Sequence, residues 1–333
     1  MRWLIYALGG GYGHVTRALS LAKIASARNI ECTILYNSEL VHRAVNIYTK
    51  RSPRTRLEYI PSYFDQQGVA KFMGNYLGEI GGYDRVIVDT FPRGIAGELS
   101  SILPKIRCPK ILIHRYLNEK YVKSIDIQNA LNEFDEILMP RDSLSIPQYL
   151  RRHSKTEPWL ICSPEEILSV QEAQLELNIF ERRQLPTVAF LGTGSHEEMF
   201  QSRRWAEQLR SECQFLNVIH FSLEPIDQSK ILFRQIWPVM KVYRAIDLLV
   251  CSGGYNALTE ASATQTRTIV TPRKRRYDRQ DLRANEHEQA TNYLQVREKC
   301  ELFATDFRPR RTRTMVFENG ANEACDRVEK LTH

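Results

Sequence analysis

Two glycine-rich turns hold the residues best suited to chemistry, one near each end of the chain. The first, Gly9-Gly10-Gly11-Tyr12-Gly13-His14, follows the apolar run Trp3-Leu4-Ile5-Tyr6-Ala7-Leu8 and precedes Val15-Thr16-Arg17-Ala18-Leu19. Glycines let backbone N–H groups approach a ligand closely, so Gly11 and Gly13 are candidates to face a phosphate or an acceptor. The helix that follows turns its positive end to the same place. An imidazole at that point, His14, can serve as a general base, and the helix dipole favours its neutral form. Taken alone, it reads more simply as a plain helix cap. Arg17 shares a helical face with His14 and can hold a phosphate or carboxylate, or simply stand at the surface. A nicotinamide-dinucleotide fingerprint requires glycine where His14 stands, so that reading is weak.

The second turn, Ser252-Gly253-Gly254-Tyr255-Asn256-Ala257-Leu258-Thr259-Glu260, follows the apolar run Asp247-Leu248-Leu249-Val250-Cys251. Here the N–H groups of Gly253 and Gly254, the Ser252 and Thr259 hydroxyls and the Asn256 amide can meet a diphosphate. Glu260 can accept two hydrogen bonds from a ribose diol; alternatively it is an acid that complements the helix dipole. Downstream, Val270-Thr271-Pro272 leads into the basic run Arg273-Lys274-Arg275-Arg276, then Asn285-Glu286-His287-Glu288-Gln289 opens a polar, helix-like stretch. Arg273 brings positive charge to the carboxyl edge of a sheet, and Glu288 and Gln289 can bond sugar hydroxyls. The alternative for the basic run is a solvated loop.

Two smaller signals complete the set. Gly192-Thr193-Gly194-Ser195 is a tight turn after a strand, apt for backbone contact with phosphate. Asp89-Thr90-Phe91-Pro92-Arg93-Gly94 also follows a strand and sets a carboxylate and Arg93 at a sheet edge. Asp89 can orient His14, replace it as base, or cap a helix.

The elements that must position these residues alternate between strand and helix. Apolar runs at 4–8, 32–36, 85–89, 110–114 and 136–139 are separated by helical patterns, which argues for a parallel, doubly wound sheet. The pattern breaks near Glu157-Pro158-Trp159, passes through a polar helix-compatible stretch at 164–183, and resumes at 187–191, 215–219, 248–251 and 268–271. Two domains are therefore expected, 1–160 and 161–333, with a helix near 322–331 packing back on the first. At 333 residues, 43% hydrophobic and 26% charged, the chain is of globular composition with room for two cores. Its 46 Lys and Arg against 39 acids give a net charge of +7, which favours an anionic partner. The basic residues are not interleaved with stacking aromatics, so nucleic acid is not expected as a partner. Seven cysteines, an odd number without a CxxC pair, suggest reduced cytosolic thiols rather than disulfides or a zinc site. The six apolar residues before the first glycines are too few for a signal peptide, and no run is long enough to span a membrane. A cytoplasmic protein is expected, with peripheral attachment at the inner membrane face as a further option.

Taken together, Gly10-x-x-Gly13-His14, Ser252-Gly253-Gly254…Thr259-Glu260 and Glu288-Gln289…Asn292 resemble the GT-B nucleotide-sugar glycosyltransferases. The branch they are most similar to is family 28, which includes the lipid-linked N-acetylglucosamine transferase of peptidoglycan synthesis. Val88 to Leu99 also resembles a group of predicted bacterial glycosyltransferases. The resemblance implies two Rossmann-like α/β domains facing a central cleft. The amino-terminal domain would bind a hydroxyl acceptor (lipid, glycan or small metabolite), with an anionic membrane surface as a further partner and His14 near the reacting centre. The carboxyl-terminal domain would bind the donor, a UDP-linked hexose or N-acetylhexosamine. In it Glu260 would take the ribose, Glu288 and Gln289 the sugar, and the turns at 192–195 and 253–254 the diphosphate. Such enzymes are inverting and metal-independent, with the nucleotide sugar as substrate and no cofactor. A nucleotide-sugar hydrolase on the same scaffold and a catalytically silent nucleotide-sugar-binding subunit are the alternatives. The chain departs from the family in having Glu288 where glutamine is common, and in its Arg273–Arg276 cluster. Aromatics at Tyr63, Phe64, Phe72 and Tyr76 suit either core packing or a lipid acceptor.

Overall fold

The computed structural model describes residues 1–9, 11–43, 54–61, 65–79, 82–222, 232–275, 278–308 and 315–331. Gly10, Tyr63, Phe64 and Arg276 lie outside them, as does the side chain of Tyr76. The chain divides into two compact units, Met1–Leu160 with Arg276–Arg279 and Glu318–His333, and Ile161–Arg275 with Gln280–Phe317.

In the first unit, β1 (Arg2–Tyr6), β2 (Glu31–Tyr36), β3 (Thr55–Tyr59), β4 (Arg85–Asp89), β5 (Lys110–Ile113), β6 (Glu136–Pro140) and β7 (Ser154–Thr156) form one sheet in the order β3-β2-β1-β4-β5-β6-β7. Every pairing is parallel. Parallel strands covered on both faces read as continuous apolar runs, which is why Trp3-Leu4-Ile5-Tyr6 and Val86-Ile87-Val88 are fully buried. The helices are α1 (Tyr12–Ala27), α2 (Glu39–Arg43), α3 (Gln66–Glu79), α4 (Glu119–Ser124) and α5 (Ile127–Asn132). Leu4, Tyr6, Val86, Val88, Leu112 and Phe134 share the core, and Phe72 packs against it. Of the two roles open to Phe72, core packing is therefore the one observed.

The second unit opens with a short helix, α6 (Val170–Glu176), flanked by 3-10 turns at Pro164–Glu166 and Phe180–Arg182. The polar stretch at 164–183 is thus broken rather than one helix, and Asn178 at φ 53° marks a break. Strands β8 (Thr187–Leu191), β9 (Asn217–Phe221), β10 (Leu232–Arg234), β11 (Leu248–Cys251), β12 (Arg267–Val270) and β13 (Glu288–Gln289) pair in the order β10-β9-β8-β11-β12-β13. This sheet too is parallel throughout. Its helices are α7 (His196–Glu212), α8 (Tyr255–Ala263), α9 (Gln280–Ala284) and α10 (Tyr293–Thr305). The expected helix across Glu288 and Gln289 is corrected to strand β13, and α10 starts only after Asn292, whose side chain accepts the Gln295 N–H.

The last helix, α11 (Gly320–Lys330), belongs to the first unit. Asn319 ties its start to Leu160, accepting that residue's N–H at 3.0 Å and donating to its carbonyl at 2.7 Å. Arg85 on β4 donates to the Val328 carbonyl at 2.9 Å, and Arg28 pairs with Asp326 and Glu329. None of the seven cysteines forms a disulfide. Among the described residues no helix is long and apolar enough to cross a membrane.

A Cβ on Gly320 would fall 1.8 Å from the Glu157 carbonyl oxygen, which is backbone and cannot rotate away. Gly320→Ala is expected to lower stability by about 1–3 kcal/mol in urea unfolding, as overpacking does. Gly74→Ala on α3, with nothing within 4 Å of the added Cβ, is expected to leave stability unchanged or slightly raised.

Candidate functional site

Each sheet reverses its strand order once, between β1 and β4 in the first unit and between β8 and β11 in the second. In open parallel sheets the loops leaving such a pair turn to opposite faces and leave a crevice at the carboxyl ends. His14 follows β1 and Asp89 ends β4. Gly192–Ser195 follows β8 and Ser252–Gly254 follows β11. The four chemistry-bearing segments therefore occupy the two switch points.

In the first unit, α1 begins after Gly11, which is extended and supplies no side-chain cap, and no acid stands in its first turn. His14 is not the cap. Its Nδ1 lies 2.5 Å from Asp89 Oδ2, and its ring stacks on Phe91 with centroids 5.5 Å apart. Gly9 makes room for it, because a Cβ there would lie 2.0 Å from His14 Cδ2. Arg17 reaches the same carboxylate with a fork, Nε to Oδ1 at 2.9 Å and Nη2 to Oδ2 at 2.7 Å. The structure thus commits Arg17 to Asp89 rather than leaving it at the surface. Thr90, at φ 72°, receives Arg17 Nη2 and donates to Asp89 Oδ2, both at 3.2 Å. Arg93 is buried beside Glu133 at 3.8 Å.

Asp89 is fully buried. Burial alone would raise its carboxyl, but the Arg17 guanidinium and then His14 outweigh that and hold it well below the usual carboxylate range. An ionised carboxylate only accepts, so His14 Nδ1 carries the proton and Nε2 is left as the acceptor. Among the described residues Nε2 has no partner. A histidine oriented by a buried aspartate, with its other nitrogen open, is the arrangement of a general base.

In the second unit, Gly194 (φ 133°) and Gly253 (φ 79°) adopt backbone conformations that favour glycine. Ser195 caps α7 in a reciprocal box with Glu198. A small, half-open hollow lies beside α7 at the ends of β8, β11 and β12, lined in part by Thr193, Glu198, Trp205, Ser252 and Arg273. Arg273 lies over the Trp205 ring at 5.9 Å and bonds Gln201. Gly192 sits against His220, Gly254 precedes α8, and Asn256 stands in its first turn. The Thr259 hydroxyl donates back to the Tyr255 carbonyl at 2.9 Å, so its proton is used within the helix.

Glu260 is buried, and among the described residues its carboxylate has no hydrogen bond or ion pair. Burial pushes it up to about 8. Glu288 and Gln289 are exposed and paired in register with Ile269 and Val270 at the sheet edge, and Lys299 donates to Glu288 at 2.9 Å. Gln280 on α9 stands beside the second glycine turn. A Cβ on Gly254 would come 3.8 Å from its Nε2, and its buried Oε1 has no partner among the described residues. The legible signal for Gln280 was a polar residue opening a helix directly after the strand–proline–basic loop. Glu198 was signalled by the capping-box spacing Ser195-x-x-Glu198. No cluster of three or more His, Cys, Asp or Glu among the described residues is arranged to hold a metal.

No protein-family model and no curated protein matches the chain. Solved structures do. The glycotransferase of kitacinnamycin superposes with a TM-score of 0.66 at 12% identity, over 99% of this chain and 98% of that one. Arabidopsis thaliana UGT89C1 complexed with UDP gives 0.61 at 10% identity, over 99% and 94%. MurG of Acinetobacter baumannii gives 0.56 at 12% identity, over 99% and 100%. The fold is GT-B. At such identities the likeness is one of fold, and residue roles in this GT-B chain rest on its own geometry.

The two buried carboxyls predict opposite pH dependences. Asp89 is held below its unfolded value, so its contribution is complete above about pH 4 and is lost as the pH falls further. Asp89→Asn, which removes the buried charge that Arg17 and His14 meet, is expected to cost about 3–5 kcal/mol at pH 7 and to show a shallower acid loss in urea titrations. Glu260 is raised, so its penalty is absent below about pH 4, grows with pH and is complete above about 8. Glu260→Gln should therefore gain on the wild type between pH 5 and 8, at up to about 1.4 kcal/mol per pH unit.

Proposed function

We propose that this GT-B protein is a glycosyltransferase that moves a hexose from a nucleoside-diphosphate sugar, UDP-linked, to a hydroxyl acceptor with inversion. The observation that carries the reading is the His14–Asp89 pair at the first switch point, with Nδ1 fixed as donor and Nε2 open. His14 Nε2 takes the proton of the acceptor hydroxyl as its oxygen bonds the anomeric carbon. The bond from that carbon to the diphosphate oxygen breaks, and the nucleoside diphosphate leaves with the electron pair. Asp89 stabilises the imidazolium that forms, while Arg17 and Thr90 keep the carboxylate in place.

The second unit is assigned the donor. Glu260, a buried carboxylate without a partner among the described residues, suits a ribose diol, whose two hydroxyls would supply hydrogen bonds. The N–H groups of the 192–195 and 253–254 turns suit the diphosphate. Glu288 and Gln289 remain proposed to bond the sugar, and Gln280 beside the second glycine turn is added to them. Two of the structural neighbours support the choice of substrate, one being a glycotransferase and another carrying UDP.

A thermal-shift panel of UDP-, TDP- and GDP-sugars tests the donor, with a rise expected for UDP-sugars. Glu260→Gln should weaken UDP binding about 5- to 100-fold, the loss expected for a charged hydrogen-bonding group. Binding to the wild type at pH 7 should release a proton, read as buffer-dependent calorimetric heats. His14→Ala should retain donor binding and lose about 10²–10⁴-fold in kcat. Full turnover in that variant removes the base assignment, and rapid donor cleavage without acceptor would reassign the protein as a hydrolase.

A further inference from the structure

The Glu198 carboxylate stands where the donor loop would receive an anion. It accepts the Ser195 N–H at 3.1 Å and both arms of the Arg275 guanidinium at 2.6 Å each. It rests on the backbone of Gly194, where an added Cβ would fall 1.9 Å from Glu198 Oε2 and 3.0 Å from Arg275 Nη2. It also lines the hollow that Thr193 and Ser252 share. A guanidinium grips a carboxylate and a phosphate with the same fork. The pair is partly open to water, with side chains 25% and 16% exposed, so exchanging one anion for another uncovers no sealed charge.

A second observation at the same loop also points to a ligand. His220 on β9 is fully buried, and neither ring nitrogen has a partner among the described residues. Its Cε1–Nε2 edge is turned to Gly192, 2.7 Å from where a Cβ would stand. Burial, and after it Arg203, pushes the imidazole down to about 4, so the ring is neutral. It therefore carries one N–H with no acceptor, an arrangement that costs stability unless an acceptor reaches the loop.

We propose that Arg275 binds the donor's diphosphate, and that Glu198 holds its place until the diphosphate takes over the guanidinium and the Ser195 N–H. The inference rests on the nucleotide-sugar reading above and deepens it. A diphosphate brings more charge and more acceptor oxygens than one carboxylate, so it displaces Glu198 where a singly charged group would gain little. Glu198 thereby sets a charge threshold for the site, and Arg275 is the cation that the threshold guards.

The test is calorimetric titration of UDP, inorganic pyrophosphate and uridine into the wild type, Glu198→Gln, Arg275→Gln and the double variant, with thermal unfolding as a check on folding. Arg275→Gln should weaken UDP and pyrophosphate at least about tenfold, the loss of a charge-assisted hydrogen bond, and Glu198→Gln should tighten both severalfold. The double variant should remain about tenfold weaker than Glu198→Gln alone, and uridine should bind all four proteins alike. A double variant that binds as tightly as Glu198→Gln overturns the proposal, since Arg275 would then only neutralise Glu198. UDP binding that ignores Arg275→Gln keeps the donor reading and removes this inference. Pyrophosphate binding through Arg275 without any nucleotide binding removes the nucleotide-sugar reading and this inference with it. A wild type that binds neither removes both.

Discussion

A parallel sheet cannot reverse its strand order without opening a gap at the carboxyl ends of the two strands where it turns. Both sheets of this protein reverse once, and His14, Asp89 and the turns at 192–195 and 252–254 lie at those reversals. Strands β1 and β4 are neighbours although about eighty residues separate them. Their register, Tyr6 opposite Val88, brings the turn before α1 to the end of β4. The imidazole and the carboxylate can meet only because the sheet holds that register. In the second unit the pairing of β8 with β11 does the same for two glycine turns.

At the first switch point the electrostatics are closed within the protein. Asp89 is buried among a guanidinium, an imidazole and a hydroxyl, each bonded to it. The charge that burial would otherwise penalise is thereby kept, and the histidine is held in one tautomer. Arg17 and His14 both lower the Asp89 carboxyl through the bonds that orient it, so the geometry and ionisation of the group are coupled.

The second unit is arranged differently. Among the described residues Gln280 keeps its amide oxygen buried without a partner, His220 does so with its ring nitrogens beneath the neighbouring loop, and burial raises Glu260. Glu198, by contrast, already has Arg275. A site with buried groups unsatisfied is destabilised when empty and gains most from a ligand rich in hydroxyls and anionic oxygens. One unit thus satisfies its buried charge from within, whereas the other leaves buried polar groups open.

Read alone, the sequence determined the α/β class, the parallel sheets and the two glycine turns, because these depend on local features. Continuous apolar runs mark doubly covered strands, and glycines mark places where the backbone must turn tightly. It also singled out His14, Asp89 and Glu260, since histidine after a glycine turn and acids at strand or helix ends are visible in one dimension. It left open whether Asp89 caps a helix or orients His14, and whether Arg17 faces a ligand or solvent. Those choices depend on β1 lying beside β4. It read Glu288 and Gln289 as the start of a helix, because they follow the basic loop in a polar stretch. Only their pairing with β12 carries them to the sheet edge and leaves Gln280 beside the turn. Spacing fixes what a segment can form by itself, whereas partners distant in sequence are chosen by strand order and burial, which exist only once the chain has folded.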